Sequence, residues 1–326
     1  MYYTNLKSEY VDGVIEIITS NYKEAKTVMP ILSDEYNKPL FQKNIIEKYV
    51  GSMDFVVAID GDKVVGFIKG FPVSEFRGLS KGVVSPAFFH GVLDGYHKKK
   101  IYNELYGRAS ELWVSNGWYN HGMRIYINDK DTIEGWVMNG FGIVKVSALR
   151  DLNEIKTPVI TNSLFVRKAT KEDFDEIKNL YNAMSNHLSS APVCLSQEDH
   201  NEYVKLDEQW FDNEDNILWL GEDGDTLAGF LMTTRRSSSG DEMEDGKTLR
   251  IQGGYVSSRY RGKYVMTKLI NIALNNAKDA GMKRCTVDFE SADMEGRNFW
   301  LKNFIPYAYL MTRKVDEREH IKLFGY

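Results

Sequence analysis

The chain has 326 residues, of which 43% are hydrophobic and 13% aromatic, and its net charge is −5. This length allows two domains of common size, and the acidic balance argues against a general nucleic-acid-binding surface. The chain has two cysteines, Cys194 and Cys285, which argues against a disulfide framework. The sequence shows no signal-peptide pattern and no apolar run of membrane-spanning length, so we expect a cytoplasmic protein.

The sequence repeats itself at an interval of 163 residues. Residues 60–68 read DGDKVVGFI and residues 223–231 read DGDTLAGFL, and the aromatic clusters at 136–141 and 299–304 stand at the same interval. A period of this length corresponds to a whole domain and is too long for a solenoid repeat. We therefore predict two copies of one fold, at residues 1–152 and 164–326, joined by a polar linker at 153–163.

In the first copy, a helix with one apolar face is predicted to end at Gly117. The residues of that face are Tyr102, Leu105, Tyr106, Ala109, Leu112 and Trp113. The helix follows the segment His97-Lys98-Lys99-Lys100, which contains no glycine. A lysine run of this kind is usually a solvated face, so we interpret the first copy as structural.

The second copy predicts a strand, a helix, a β-hairpin, a strand, a long helix, a strand, a short helix and a last strand. The strands are predicted at 164–167, 217–220 and 227–232 (the hairpin), 248–256, 284–290 and 309–314. The helices are predicted at 171–184, 265–281 and 295–303. Residues 185–197 are predicted to form a loop, and Gly253-Gly254 indicates a bulge or a close backbone approach. The mixture of hairpins and crossovers predicts an α/β (α+β) fold, with a twisted mixed β-sheet flanked by helices in each copy.

A polar, basic loop, residues 257–263, joins a strand to the long helix. The first turn of a helix has free backbone N–H groups and a partial positive charge, and Arg261 and Lys263 add formal charge beside it. The chain has neither a GxxxxGK[ST] nor a G-x-G-x-x-G motif, which argues against the Walker and dinucleotide-binding types. From the loop alone, a solvated helix start is an equally good interpretation.

The ordered set of hairpin, glycine-containing strand, basic loop, long helix, strand and aromatic helix resembles the GNAT N-acetyltransferase family. The family's pyrophosphate loop reads R/Q-x-x-G-x-G/A, and residues 261–266 of this chain match it as RGKYVM. A late family element, an Asn followed by a small residue and an aromatic pair, is matched by Asp293, Gly296 and Phe299-Trp300. The resemblance covers most of the second half and the first half more faintly, so the chain looks like a tandem-GNAT protein with a degenerate first copy.

This resemblance implies acetyl-CoA as a co-substrate. The implied binding residues are Tyr255, Val256, Ser257, Arg261, Gly262, Lys263, Tyr264, Val265, Met266, Thr267, Phe299 and Trp300. The backbone N–H of Val256 or of a neighbour is expected to stabilise the oxyanion. Tyr264 and Met266 replace small family residues, and a positive φ at such a position costs about 1–2 kcal/mol.

The implied activity is acyl-CoA-dependent N-acyltransfer by direct attack of a primary amine of a small molecule or peptide, bound between the hairpin loops and the 185–197 loop. Glu290, which shares a strand face with Asp288, is the candidate base. Tyr309, or Tyr307, is the candidate acid, because Trp300 occupies the family's Tyr position and cannot donate a proton. The alternative is a catalytically silent acyl-CoA or metabolite sensor. No metal spacing, nucleic-acid partner or membrane partner is expected, and the sequence does not indicate an oligomeric state.

Overall fold

The computed structural model of this chain describes residues 1–77, 81–153, 163–196, 206, 208–235 and 245–318. Its contacts divide the described chain into two compact units. The N-terminal unit contains residues 1–146 and 306–318, and the C-terminal unit contains residues 147–235 and 245–305.

The N-terminal unit contains strands from both ends of the chain and four helices. The strands are β1 (Tyr2–Asn5), β2 (Phe55–Asp60), β3 (Lys63–Lys69), β4 (Phe71–Val73), β5 (Gly82–Ser85), β6 (His90–Val92), β7 (Asn120–Tyr126), the start of β8 (Gly142–Asp151) and, from residue 306, β14 (Ile305–Lys314). The helices are α1 (Val11–Val28), α2 (Pro39–Ile46), α3 (Lys98–Ser115) and α4 (Lys130–Met138). One sheet has the order β1-β2-β3-β6, and the strands β4-β5-β7-β14 follow one another in a second.

Helix α3 covers the core of the N-terminal unit with the face predicted from the sequence. Of the six predicted apolar residues, all but Leu112 are buried. They pack with Trp136 of α4 and with Phe141, in a cluster that also includes Met311 of β14. Strand β14, the last described strand, thus contributes to the core of the N-terminal unit.

The C-terminal unit has five consecutive strands in the order β13-β12-β11-β10-β9. They are β9 (Phe165–Lys168), β10 (Asn216–Asp223), β11 (Thr226–Thr234), β12 (Thr248–Val256) and β13 (Arg284–Glu290). The helices are α5 (Phe174–Ser189), α6 (Val265–Asp279) and α7 (Met294–Asn303). Strands β9 to β12 pair antiparallel, whereas β12 and β13 pair parallel, because the α6 crossover joins them.

Helices α5 and α6 lie on opposite faces of this sheet. A Cβ on Gly253 would meet Met184 of α5 at 3.5 Å, and a Cβ on Gly254 would meet the Met266 methyl of α6 at 2.9 Å. Because successive strand residues point to opposite faces, these neighbours define an α5 face and an α6 face. The Gly254 distance is too short for a real Cβ, so the close approach expected at the paired glycines is present.

The mixed sheets flanked by helices confirm the predicted fold class. The prediction of a loop from residue 185 is wrong at its start, because α5 continues to Ser189. Residue 197 and the linker residues 154–162 lie outside the described residues. The compact units also cross the predicted copy boundaries, since residues 147–152 belong to the C-terminal unit and residues 306–318 to the N-terminal unit. Within the described part of the chain, no helix combines the length and apolarity that a membrane crossing requires.

Candidate functional site

Strands β12 and β13 separate part-way along their length. Residues of the two strands pair from Thr248–Arg284 to Ile251–Val287, and no further pair follows in the described residues. The register of β12 against β11 also shifts here. Ile251 and Gly253 pair with consecutive residues of β11, so Gln252 between them is an additional residue in β12. This is a β-bulge, one residue before the predicted position. We call the opening between residues 253–256 and residues 288–290 the wedge.

The backbone of Val256 faces the wedge. The Ser257 N–H donates to the Ala228 carbonyl of β11 at 2.9 Å, and Val256 lies opposite Gly229. In an antiparallel ladder this places Val256 in a non-hydrogen-bonded pair, with its N–H and C=O directed away from β11. The Arg261 Nε donates to the Val256 carbonyl at 3.5 Å, on that side, while the Val256 N–H has no partner among the described residues.

The loop before α6 ends in two left-handed residues. Gly262 has a φ of 76° and Tyr264 a φ of 61°. Tyr264 is the N-cap, and its carbonyl accepts the Lys268 N–H at 3.0 Å. Four backbone N–H groups, those of residues 264–267, therefore open the helix without intrahelical partners. The Tyr264 side chain is 66% exposed, so its ring is not packed into the loop.

Three cations lie in the loop before this helix. The guanidinium of Arg259 and the ammonium of Lys263 lie 5.7 and 5.1 Å from the centre of the Tyr260 ring, which is buried. Arg261 lies 5.6 Å from the centre of the Tyr255 ring and forms an ion pair with Glu295 in the first turn of α7. The loop thus combines free amides, a helix dipole and formal positive charge, which suits a pyrophosphate.

On the α5 face, the far side of the wedge carries acidic residues. The side chain of Val287, which pairs with Ile251, points to the α6 face. Successive strand residues point to opposite faces, so Asp288 and Glu290 lie on the α5 face. Asp288 is exposed and pairs with Arg250 at 3.6 Å, whereas Glu290 is buried. A turn then leads to α7, with the Asp293 N–H donating to the Glu290 carbonyl at 3.3 Å.

Sequence reasoning missed one pair at this place. The Nε2 atom of His187, in the last turn of α5, lies 3.2 Å from Oδ1 of Asp293. The same Oδ1 accepts the Gly296 N–H at 3.2 Å and so caps α7. The His187 ring centre lies 6.5 Å from that of Tyr255. A sequence signal existed, because Leu188 continues the apolar spacing of Tyr181 and Met184, but residues 185–197 were assigned to a loop.

The remaining predicted residues divide between the two units. Trp300 is buried and packs edge-on against Phe299 and Phe304, with ring centres at 5.2 and 5.6 Å. Tyr309 pairs with Ile125 of β7 in the N-terminal unit and packs against its core. Tyr307 also belongs to that unit, where its hydroxyl accepts from Arg124 at 2.8 Å. The structure therefore brings Glu290 together with the loop in one unit, but not the two tyrosines.

The equivalent place in the N-terminal unit is filled by side chains. His90 on β6 is buried, with Nδ1 3.1 Å from the Tyr102 hydroxyl and Nε2 2.8 Å from the Arg124 carbonyl of β7. Burial lowers the pKa of His90 to about 4, so the ring is neutral at pH 7 and donates a proton to only one of these partners. At the start of α3, Lys98 pairs with Asp129 at 3.2 Å. Among the described residues of this copy, His90 bridges β6 and β7 where the C-terminal unit has its wedge, and Lys98 is paired.

The C-terminal unit has the backbone N–H donors that acetyl-CoA would need. The open amides of residues 264–267 suit its pyrophosphate, and the Val256 N–H faces the wedge where a thioester carbonyl would need a donor. The exposed Tyr264 ring leaves these amides accessible. The described residues group no three side chains that could hold a metal ion.

Comparisons with known proteins bear on the family and on the fold. The model of the acetyltransferase (GNAT) family matches residues 179–304. A GCN5-related N-acetyltransferase from Sphaerobacter thermophilus shares 10% identity and a TM-score of 0.60, over 96% of this chain and 95% of that one. The glucosamine N-acetyltransferase region of a fungal multi-domain GH3 β-N-acetylglucosaminidase shares 14% identity and a TM-score of 0.56, over 95% of this chain and 38% of that one. No curated protein matches the sequence.

The family match contains the basic loop, the wedge, Glu290 and the His187–Asp293 pair. The structural neighbours extend the likeness of fold over nearly the whole chain, at identities too low to indicate more than the fold. Residues 179–304 therefore belong to the acetyltransferase (GNAT) family, and the chain as a whole has the fold of GCN5-related N-acetyltransferases.

Proposed function

We propose that the C-terminal unit transfers an acetyl group from acetyl-CoA to a primary amine of a small molecule or peptide. The observation that carries this proposal is the Val256 N–H, which faces the wedge directly before a helix start with four free amides. One site can thus bind the pyrophosphate and stabilise an oxyanion.

The proposed reaction is a direct attack on the thioester. The amine nitrogen bonds to the acetyl carbon, the carbon–sulfur bond breaks, and CoA leaves as a thiolate. Glu290 is proposed as the base that removes the first proton from the substrate ammonium, because it is buried on the α5 face of the wedge. Arg261, Gly262 and Lys263 would hold the pyrophosphate, and Tyr255 to Ser257 would line the thioester arm.

A silent acyl-CoA sensor is the second candidate. It is favoured by Trp300, an indole where the family has a proton-donating Tyr, and by the Arg261–Glu295 ion pair, which must open before Arg261 can bind phosphate. Binding without turnover on a broad panel of primary amines would support the sensor. No binding of acetyl-CoA would remove both candidates.

The proposed binding mode is tested by titrating acetyl-CoA calorimetrically into the wild type, Arg261→Ala and Lys98→Ala. The lost charge-assisted bond should raise the Kd of Arg261→Ala about tenfold or more. Lys98→Ala is the matched control, a cation at the start of the equivalent helix that is already paired with Asp129, and its Kd should stay within about twofold. Equal effects would contradict the assignment of the site to the C-terminal unit.

A further inference from the structure

The His187–Asp293 pair lies beside the wedge and takes no part in the acetyl-CoA contacts proposed above. It joins the C-terminal end of α5 to the N-cap of α7, and both side chains are largely buried, with 31% and 16% exposed. The neighbouring aromatic ring is that of Tyr255, on the strand that lines the wedge. The pair is therefore at the reacting end of the proposed site, not on a remote surface.

The hydrogen bond fixes which nitrogen of His187 can accept a proton. A carboxylate only accepts, so Nε2 must donate to Asp293. In the neutral ring, Nδ1 then carries the lone pair, and it has no hydrogen-bond partner among the described residues. If Nδ1 takes a proton, the adjacent Asp293 carboxylate stabilises the imidazolium that forms.

Acetyl transfer to an ammonium requires more than one proton transfer. The nitrogen must lose one proton before it attacks and a second as the amide forms, while the CoA thiolate gains one. In balance, acetyl-CoA and R-NH3⁺ give the amide, CoA-SH and one H⁺. A single base, Glu290, accounts for the first proton and leaves the second proton and the thiolate without a carrier.

We propose that His187 carries this second proton, from the attacking nitrogen to the departing sulfur, and that Asp293 positions its ring. Nδ1 accepts the proton as the carbon–nitrogen bond forms and donates it as the carbon–sulfur bond breaks, so the ring ends neutral. This proposal rests on the proposed function, and it removes the need for a tyrosine at the position of Trp300.

The chain offers a matched control for Asp293. Asp129 is the N-cap of α4, the equivalent helix of the first copy, and accepts the Thr132 N–H at 3.1 Å. Serine is a good N-cap and is too short to reach the imidazole, so Asp293→Ser keeps the cap and removes the partner. Asp129→Ser changes a cap of the same kind and leaves His187 and Asp293 intact, although it also removes the ion pair with Lys98.

The first measurement is independent of activity. Nitrogen-15 NMR of the full chain should show a hydrogen-bonded Nε2–H resonance that disappears in His187→Gln. The resonance should also be lost in Asp293→Ser and kept in Asp129→Ser. Its absence from the wild type, or its survival in Asp293→Ser, would overturn the pairing on which the proposal depends.

The second measurement is release of free thiol from acetyl-CoA with a primary amine selected from a panel. His187→Gln should lower kcat about a hundredfold, with the Kd for acetyl-CoA within about twofold, because general acid–base catalysis contributes roughly 10²–10⁴. Asp293→Ser should lower kcat about tenfold, and Asp129→Ser should leave it unchanged. Wild-type kcat in His187→Gln would refute the proton transfer while the proposed function stands. Failure of the wild type to bind acetyl-CoA would instead remove the proposed function, and the proton transfer with it.

Discussion

Replacement of Tyr264 separates the strain of the basic loop from any contact made by the ring. Tyr264 has a φ of 61° and a ψ of 17°, in the left-handed region, and its side chain is 66% exposed. Tyr264→Gly and Tyr264→Ala both remove the ring, but only glycine relieves the strain, which costs about 1–2 kcal/mol. Glycine also loses about 0.5–1 kcal/mol more conformational entropy on folding than alanine. The midpoints of these two ranges make the glycine variant more stable than the alanine variant by about 0.75 kcal/mol.

The difference is measured by guanidinium unfolding of the two variants and the wild type, followed by tryptophan fluorescence. An alanine variant as stable as the glycine variant would refute the strain argument. The same proteins test the loop as a phosphate site by calorimetry with acetyl-CoA. Tyr264→Gly should keep or improve the affinity if the ring only crowds the loop, and a large loss would show that the ring itself contacts the ligand.

Two further predictions concern protons. Glu290→Gln should lower kcat at least about a hundredfold if Glu290 is the base, and release of thiol at the wild-type rate would exclude that role. Burial lowers the pKa of His90 to about 4, so the unfolded chain binds a proton at this residue more readily than the folded chain does. The free energy of unfolding should therefore fall by up to about 3 kcal/mol as the pH drops from about 6.5 to about 4. His90→Gln should flatten this part of a stability-versus-pH curve measured by urea unfolding, and an equally steep curve would contradict the assignment.

Local features of the C-terminal copy could be predicted from the sequence. The strands at 248–256 and 284–290 were predicted at their observed bounds, because each run contains β-branched and aromatic residues and is flanked by turn-forming residues. The helix after the loop was placed from the spacing of Val265, Leu269 and Ala273, all of which are buried. Tyr264 was identified as a position where a positive φ would cost energy, and it has that conformation.

Long-range features could not be predicted in this way. The wedge depends on where the pairing of β12 and β13 stops, and no periodicity within one strand records the end of its pairing with another. The role suggested for Tyr309 depended on its nearness in sequence to the late helix, but β14 pairs with β7. His187 was missed because its partner Asp293 lies 106 residues away in the chain.

The placement of β14 with β7 has a consequence for synthesis of the protein. Residues 306–314 belong to the last described strand, yet they pair with β7, which lies within the first 126 residues. Domains usually fold as they emerge from the ribosome, beginning at the N-terminus. Here the N-terminal unit lacks β14 until residue 314 has been synthesised, and the edge of β7 that pairs with β14 is exposed in the interval. The N-terminal unit should therefore become resistant to protease only when residue 314 has emerged from the ribosome, and not already when residue 152 has emerged.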